Sequence, residues 1–296
     1  KLEEVLDVPV WHDDQQGTAL VSLAGLINAL KVVGKKIDQV KIVLFGAGAA
    51  NICTYRYLKV AGVKPENMVV IDSKGPLCKE REDIEAMKKE NPWKYRIAVE
   101  TNPEGIKDIP KAFVGADVVI AASRPGPGVI KKEWVASMNK DAIVFAEANP
   151  VPEIWPWEAK EAGARIVATG RGDFPNQINN SLGFPAVFRG VFTVRARKMT
   201  DEMFLAAAYA IAKYAEETGI HEERIVPKME ETEMYVREAM AVAEKAMELG
   251  YARRKLSRSD LEFEIREMIE RPKKEMELFV KAGLIRLYPE YKELKL

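Results

Sequence analysis

Two kinds of segment in this 296-residue chain carry residue types that chemistry uses. The first is Gly46-Ala47-Gly48-Ala49-Ala50-Asn51, which follows the apolar run 41–45 (KIVLF) and opens a helical pattern reaching about Ala61. Gly46 permits a tight turn. Gly48 lets the backbone approach a pyrophosphate, which then rests on the unpaired N–H groups of Ala49, Ala50 and the next residue at the positive end of the helix dipole. Asn51 stands where such loops prefer Gly or Ala. Asp72 ends the next apolar run, 68–72 (MVVID), 26 positions after Gly46, where a carboxylate reaches the adenosine ribose hydroxyls. Ser73 and Lys74 follow, with Lys79 and Arg81 nearby. A carboxylate favours NAD, and cations beside it can neutralise the extra phosphate of NADP, so both cofactors stay open.

The second kind is polar and clustered. Asp13 and Asp14 stand side by side ahead of the strongly apolar helical run 18–33, for which Thr18 is the expected N-cap and Gly34 the C-cap. Helix capping explains one acid at such a place. Two in an apolar neighbourhood also fit a hard divalent cation with oxygen ligands, Mg²⁺ or Mn²⁺. His12 and His221 read as packed or outer residues rather than ligands. Asn149 follows the run 142–146, and Asn179 and Asn180 follow the run 165–168 through a loop rich in Gly and Asn. Asparagine offers donors and acceptors without charge, suited to a carboxamide or a carboxylate, although turn chemistry alone also favours it in loops.

These residues need a scaffold that brings strand ends together. Five short apolar runs, 41–45, 68–72, 117–122, 142–146 and 165–168, alternate with helical or loop stretches. That alternation predicts an α/β fold: a doubly wound, Rossmann-like parallel sheet flanked by helices. Beyond about Val194 the strand signals stop, and 200–218, 230–249 and the charged stretch from Ser257 predict a helical C-terminal extension. Lys+Arg and Asp+Glu balance at 45 each, so no global field points to nucleic acid. Cys53 and Cys78 match no metal or redox spacing and read as reduced thiols. No apolar run approaches the ~20 residues of a membrane span. The expectation is a cytoplasmic protein with no nucleic-acid or membrane partner. The many Glu–Lys and Glu–Arg neighbours fit either a thermophile or any solvated helix surface.

The stretches VPVWHDDQQGTALVSLAGLINALK, VLFGAGAA, IDSKG, ANPVPEI and TGRGDFPNQINNSLGFPAVFRG resemble the malic enzymes, nearly end to end until about residue 250. The resemblance implies oxidative decarboxylation of malate to pyruvate with reduction of NAD or NADP, dependent on Mg²⁺ or Mn²⁺, by a homodimer or higher homo-oligomer. It implies that Asp14 is a metal ligand and Asp13 a supporting acid of the same site. Gly46, Gly48, Ala49 and Ala50 become the pyrophosphate loop, Asp72 the ribose acid with Ser73 and Lys74 beside it, Asn149 a neighbour of the nicotinamide, and Asn179 and Asn180 neighbours of the substrate carboxylate. It divides the chain into 1–34, a helical segment with the metal-site acids; 35–195, the dinucleotide-binding domain; and 196–296, helices packing on the sheet or on a partner subunit. The family's proton-transferring Tyr and Lys find no counterpart, and the chain opens at Lys1 without Met, so a fragment lacking an upstream catalytic domain is expected. Two rivals remain: a non-catalytic dinucleotide-sensing or assembly module, and an amino-acid dehydrogenase on the same sheet.

Overall fold

The computed structural model describes residues 2–285, so residues 286–296 of the expected C-terminal helical region lie outside the described residues. The five apolar runs become strands β1 (Ile42–Phe45), β2 (Met68–Asp72), β4 (Val118–Ala121), β5 (Ala142–Ala146) and β6 (Ala164–Thr169), and a further short strand, β3 (Gly75–Pro76), follows β2. They form one sheet in the order β3-β2-β1-β4-β5-β6, parallel throughout except for the two-residue β3, which runs back against β2. The fold is therefore the doubly wound, Rossmann-like α/β sheet that the alternation predicts, with helices following it in the chain.

The strands read as continuous apolar runs because both faces are covered. Successive side chains point to opposite faces, so Ile42 and Leu44 of β1 join one core while Val43 and Phe45 join the other. The first core is the larger. It gathers the helices Thr18–Val33, Ala49–Val60, Phe184–Val194, Asp201–Thr218 and Thr232–Glu248, and extends to Leu261 and Ile265 on the helix Arg258–Lys281. The second core holds Phe113, Ile130, Val135, Ile154 and Ala159 beneath shorter helices.

Thr18 is not an N-cap. A π-helical turn, Asp13–Gly17, runs straight into the helix, and Thr18 already has helical angles (φ −60°, ψ −49°). Asp13 and Asp14 thus lie in the first turn rather than ahead of it. The Asp13–Val33 helix spans 21 residues and, by length and composition alone, is apolar enough to cross a membrane, but 67% of its most apolar window is buried among neighbouring elements. Gly34 ends it in the left-handed conformation (φ 71°), as its position in the sequence suggests.

Because the chain winds from β1 outward to β2 and then returns to β4, the carboxyl ends of β1 and β4 diverge at the middle of the sheet. A crevice opens there, and such crevices are where doubly wound sheets bind ligands.

Candidate active site

Gly46 leaves β1 at φ +105°, and a side chain there would overlap the Ala122 carbonyl oxygen at the end of β4. Gly48 is extended at φ −92°, and a Cβ added to it meets nothing within 4 Å. Its openness leaves room above the first turn of the Ala49–Val60 helix. The first amide paired within that helix is that of Ile52, which donates to the Gly48 carbonyl. The amides of Ala49, Ala50 and Asn51 precede it and have no backbone partner among the described residues, which fits a pyrophosphate.

Asn51, the departure from Gly or Ala, is taken into the packing between helix and strands. It is fully buried, and its amide donates to the carbonyls of Phe45 and Ile120 at 3.2 Å each, stapling the ends of β1 and β4.

Asp72 closes β2 with its side chain only 8% exposed. It accepts from the Lys74 amide (2.9 Å), Arg81 Nη1 (2.8 Å) and Lys94 Nζ (3.2 Å). Burial pushes its carboxyl up, but Arg81, the Lys74 amide and Lys94 together hold it below the usual carboxylate range. The Lys74 ammonium turns away to Asp83, which also takes a bidentate pair from Arg81. Gly46, Gly48, Asp72, Ser73 and Lys94 line a cleft of about 740 Å³, whose far wall is Ala122, Ser123 and Arg124.

A second cleft of about 280 Å³ adjoins it, sharing Ala122 and Ser123. It brings together Asp14, Asn149, Asn179 and Asn180, four residues from three separate segments of the sequence, with Glu147 and Ala148. Asn180 donates to Asp13 at 2.6 Å, and Trp11 Nε1 donates to the other oxygen of Asp13 at 3.1 Å. Burial raises the Asp13 carboxyl against the pull of Trp11. Asn179 accepts from the Ser181 amide and donates to the Gly170 carbonyl. Asp14 is exposed to the cleft, and its carboxylate has no hydrogen bond among the described residues. It fits as one oxygen ligand of a hard cation. Among the described residues no three His, Cys, Asp or Glu side chains group into a full metal site. His12 and His221, expected to be packed or outer residues, are both exposed.

The sequence pattern did not reveal Glu147, Ser123 or Glu153. Glu153, completely buried, accepts from the Ser123 amide (2.8 Å), the Ser123 hydroxyl (3.0 Å) and the Ala148 amide (3.1 Å), and so clamps the loop after β4 to the loop after β5. Its contacts only exist once distant segments meet. The one local sign is an acid amid apolar residues in VPEIW. Replacing Glu153 by Ala is expected to cost roughly 3–5 kcal/mol, the sum of lost bonds to a carboxylate and of stranded amides. Urea unfolding measures it, and a loss under about 1 kcal/mol removes the clamp from the fold's energetics.

Comparison with known proteins agrees with this geometry. The family model described as "Malic enzyme, NAD binding domain" matches residues 15–247. The NAD-dependent malic enzyme of Geobacillus stearothermophilus is 46% identical over 255 residues, 86% of this chain and 51% of that protein. The NADP-dependent malic enzyme of Escherichia coli (strain K12) is 38% identical over 88% of this chain and 35% of its own length. Among solved structures, Entamoeba histolytica malic enzyme superposes with a TM-score of 0.93 at 48% identity, covering 97% of this chain and 59% of that one. The malic enzyme of Pyrococcus horikoshii Ot3 gives 0.86 at 52% identity, covering 95% and 65%. The chain spans about half the length of the first curated relative.

Proposed function

Because this chain belongs to the malic enzyme family, we propose that its two adjoining clefts hold a nicotinamide dinucleotide and malate for oxidative decarboxylation to pyruvate and CO₂. The observation that carries the reading is the convergence of Asp14, Asn149, Asn179 and Asn180 on one cleft that shares a wall with the glycine-loop cleft. When bound, the dinucleotide supplies a hydride acceptor and a divalent cation, Mg²⁺ or Mn²⁺, supplies a Lewis acid for the substrate oxygens.

The chain's own residues bind and orient. The amides of Ala49 and Ala50 take the pyrophosphate above Gly48, and Asp72 takes the ribose hydroxyls. Asn149, on the wall of the smaller cleft, orients the nicotinamide. Asn179 and Asn180 orient the substrate carboxylate, with Asn180 held by Asp13. Asp14 offers its carboxylate to the cation, and Asp13 positions rather than ligates, since Trp11 and Asn180 already occupy it. None of the described residues lining the smaller cleft is a Tyr or Lys, so this wall supplies binding and polarisation rather than the proton-transfer groups that the family resemblance implies.

NAD is the proposed partner of Asp72. The carboxylate is ionised at neutral pH and nearly buried, whereas Arg81 spends its donors on Asp72, Asp83 and the Gly75 carbonyl. A 2′-phosphate arriving there meets a fixed anion. Asp72→Ala releases Arg81 and Lys94, and the ratio of kcat/KM for NAD over NADP is expected to fall by at least about tenfold, the value of one charge-assisted contact.

The test of the whole reading is absorbance at 340 nm for the full-length protein with malate, Mn²⁺ and each dinucleotide in turn. A rise that needs both malate and metal supports it. A folded protein that binds dinucleotide but shows no rise returns the choice to a sensing module or a different substrate.

A further inference from the structure

Ser22 is completely buried on the Thr18–Val33 helix. Its hydroxyl oxygen lies 2.8 Å from the Thr18 carbonyl oxygen and 2.7 Å from Oε1 of Glu147. A hydroxyl has one proton, and both neighbours are pure acceptors if Glu147 is ionised. The two contacts are satisfied together only when Glu147 carries a proton on Oε1 and donates it to Ser22, leaving Ser22 to donate to Thr18. The second oxygen, Oε2, is buried without a partner among the described residues. A carbonyl-type oxygen tolerates that far better than an anionic one.

We propose that Glu147 is a positioning residue, a neutral carboxylic acid whose proton, shared with Ser22, ties the turn bearing Asn149 to the helix bearing Asp14. The contact joins positions 125 residues apart and lies at the back of the smaller cleft. Burial agrees with it, pushing Glu147 up to about 8; Ser22 draws it down and Glu153 raises it further. The charged groups around it are Asp14 on the wall of the same cleft, with Asp13 before it, Glu153 after β5, and Arg171 after β6, which reaches the Pro150 carbonyl and is paired with Asp173. No cation pairs with Glu147 among the described residues, so removing its proton leaves an anion facing Glu153 and a Ser22 hydroxyl with one proton for two acceptors. The latch then opens.

The proposal rests on the malate reading only in its kinetic consequence, and the experiment separates the two. The folded value lies above the ordinary 4.5, so the stability that the proton confers is complete below about 4.5 and is lost as pH rises through about 8. Melting temperatures of this chain from pH 5 to 8 are expected to fall roughly 5–10 °C further in the natural protein than in Glu147→Gln, whose amide donates to Ser22 at every pH. An infrared difference spectrum of the two near pH 6 should show a protonated carboxylic acid lost in the variant. In the full-length protein, Glu147→Ala should raise KM for malate about tenfold, with Glu147→Gln rescuing it and removing its alkaline rise. Parallel melting profiles, no lost acid band, or an alkaline rise in KM that the Gln variant shares each overturn the proposal. Failure of the natural protein to turn over malate refutes the proposed reaction instead, and leaves the infrared and melting results to decide Glu147.

Discussion

Replacing Asp14 by Ala in the full-length protein is expected to lower malate turnover by on the order of 10³-fold, while dinucleotide binding and melting temperature stay near those of the natural protein. The split follows from what the two neighbouring acids touch. Asp13 accepts from Trp11 and Asn180 and packs over Gly17, where even a methyl group would overlap its carboxylate. Asp14 touches none of these. It is exposed to the cleft and free of hydrogen bonds among the described residues, so its removal strands no partner. In the proposed reading, such a carboxylate, facing amides from two other segments, is there for a cation held in company with substrate. Steady-state kinetics against Mn²⁺ concentration, alongside NADH fluorescence titration and melting, checks all three parts. A variant that loses dinucleotide binding together with turnover shows Asp14 to be structural.

Gly46→Ala should act in the opposite sense, costing about 3 kcal/mol or more and abolishing dinucleotide binding. Two constraints meet at this residue. Its φ of +105° is strained for any residue with a Cβ, and the added carbon would overlap the Ala122 carbonyl. The obstacle is backbone on backbone, at the point where β1 and β4 part, so no flexible side chain can yield. Gly48→Ala is the informative control, because its Cβ enters open space at φ −92°. That variant should fold normally and lose roughly tenfold in dinucleotide affinity, as the methyl group takes the space a pyrophosphate needs. Equal destabilisation by both substitutions would count against the distinction.

The parts of this molecule that follow local rules could be read from its sequence. β1, β2, β4, β5 and β6 were visible because a strand covered on both faces is apolar at nearly every position. β3 was not, being two residues, one of them Pro76 on an edge strand. The helix Phe184–Val194 was read only as part of a motif, since Pro185 and Gly190 look like breakers; Pro185 sits in the first turn, where a missing N–H is harmless, and Gly190 is where a side chain would strike the Ala239 carbonyl of a crossing helix. Thr18 looked like a cap because hydroxyls favour that place, and the π-helical turn before it leaves no trace in composition.

The site divides the same way. Asp14, Asn149, Asn179 and Asn180 were legible because each lies beside a strand end or helix start. Glu147, Glu153, Ser22 and Ser123 were not, because burial and partners distant in sequence define what they do.

The wall made by Ala122 and Ser123 belongs to both clefts, and Glu153 joins it to the turn that carries Ala148. In the proposed enzyme, that wall is the route by which one ligand would act on the binding of the other. Whatever factor a bound dinucleotide brings to the affinity for malate is a property of the pair, and linkage obliges malate to return the same factor to the dinucleotide.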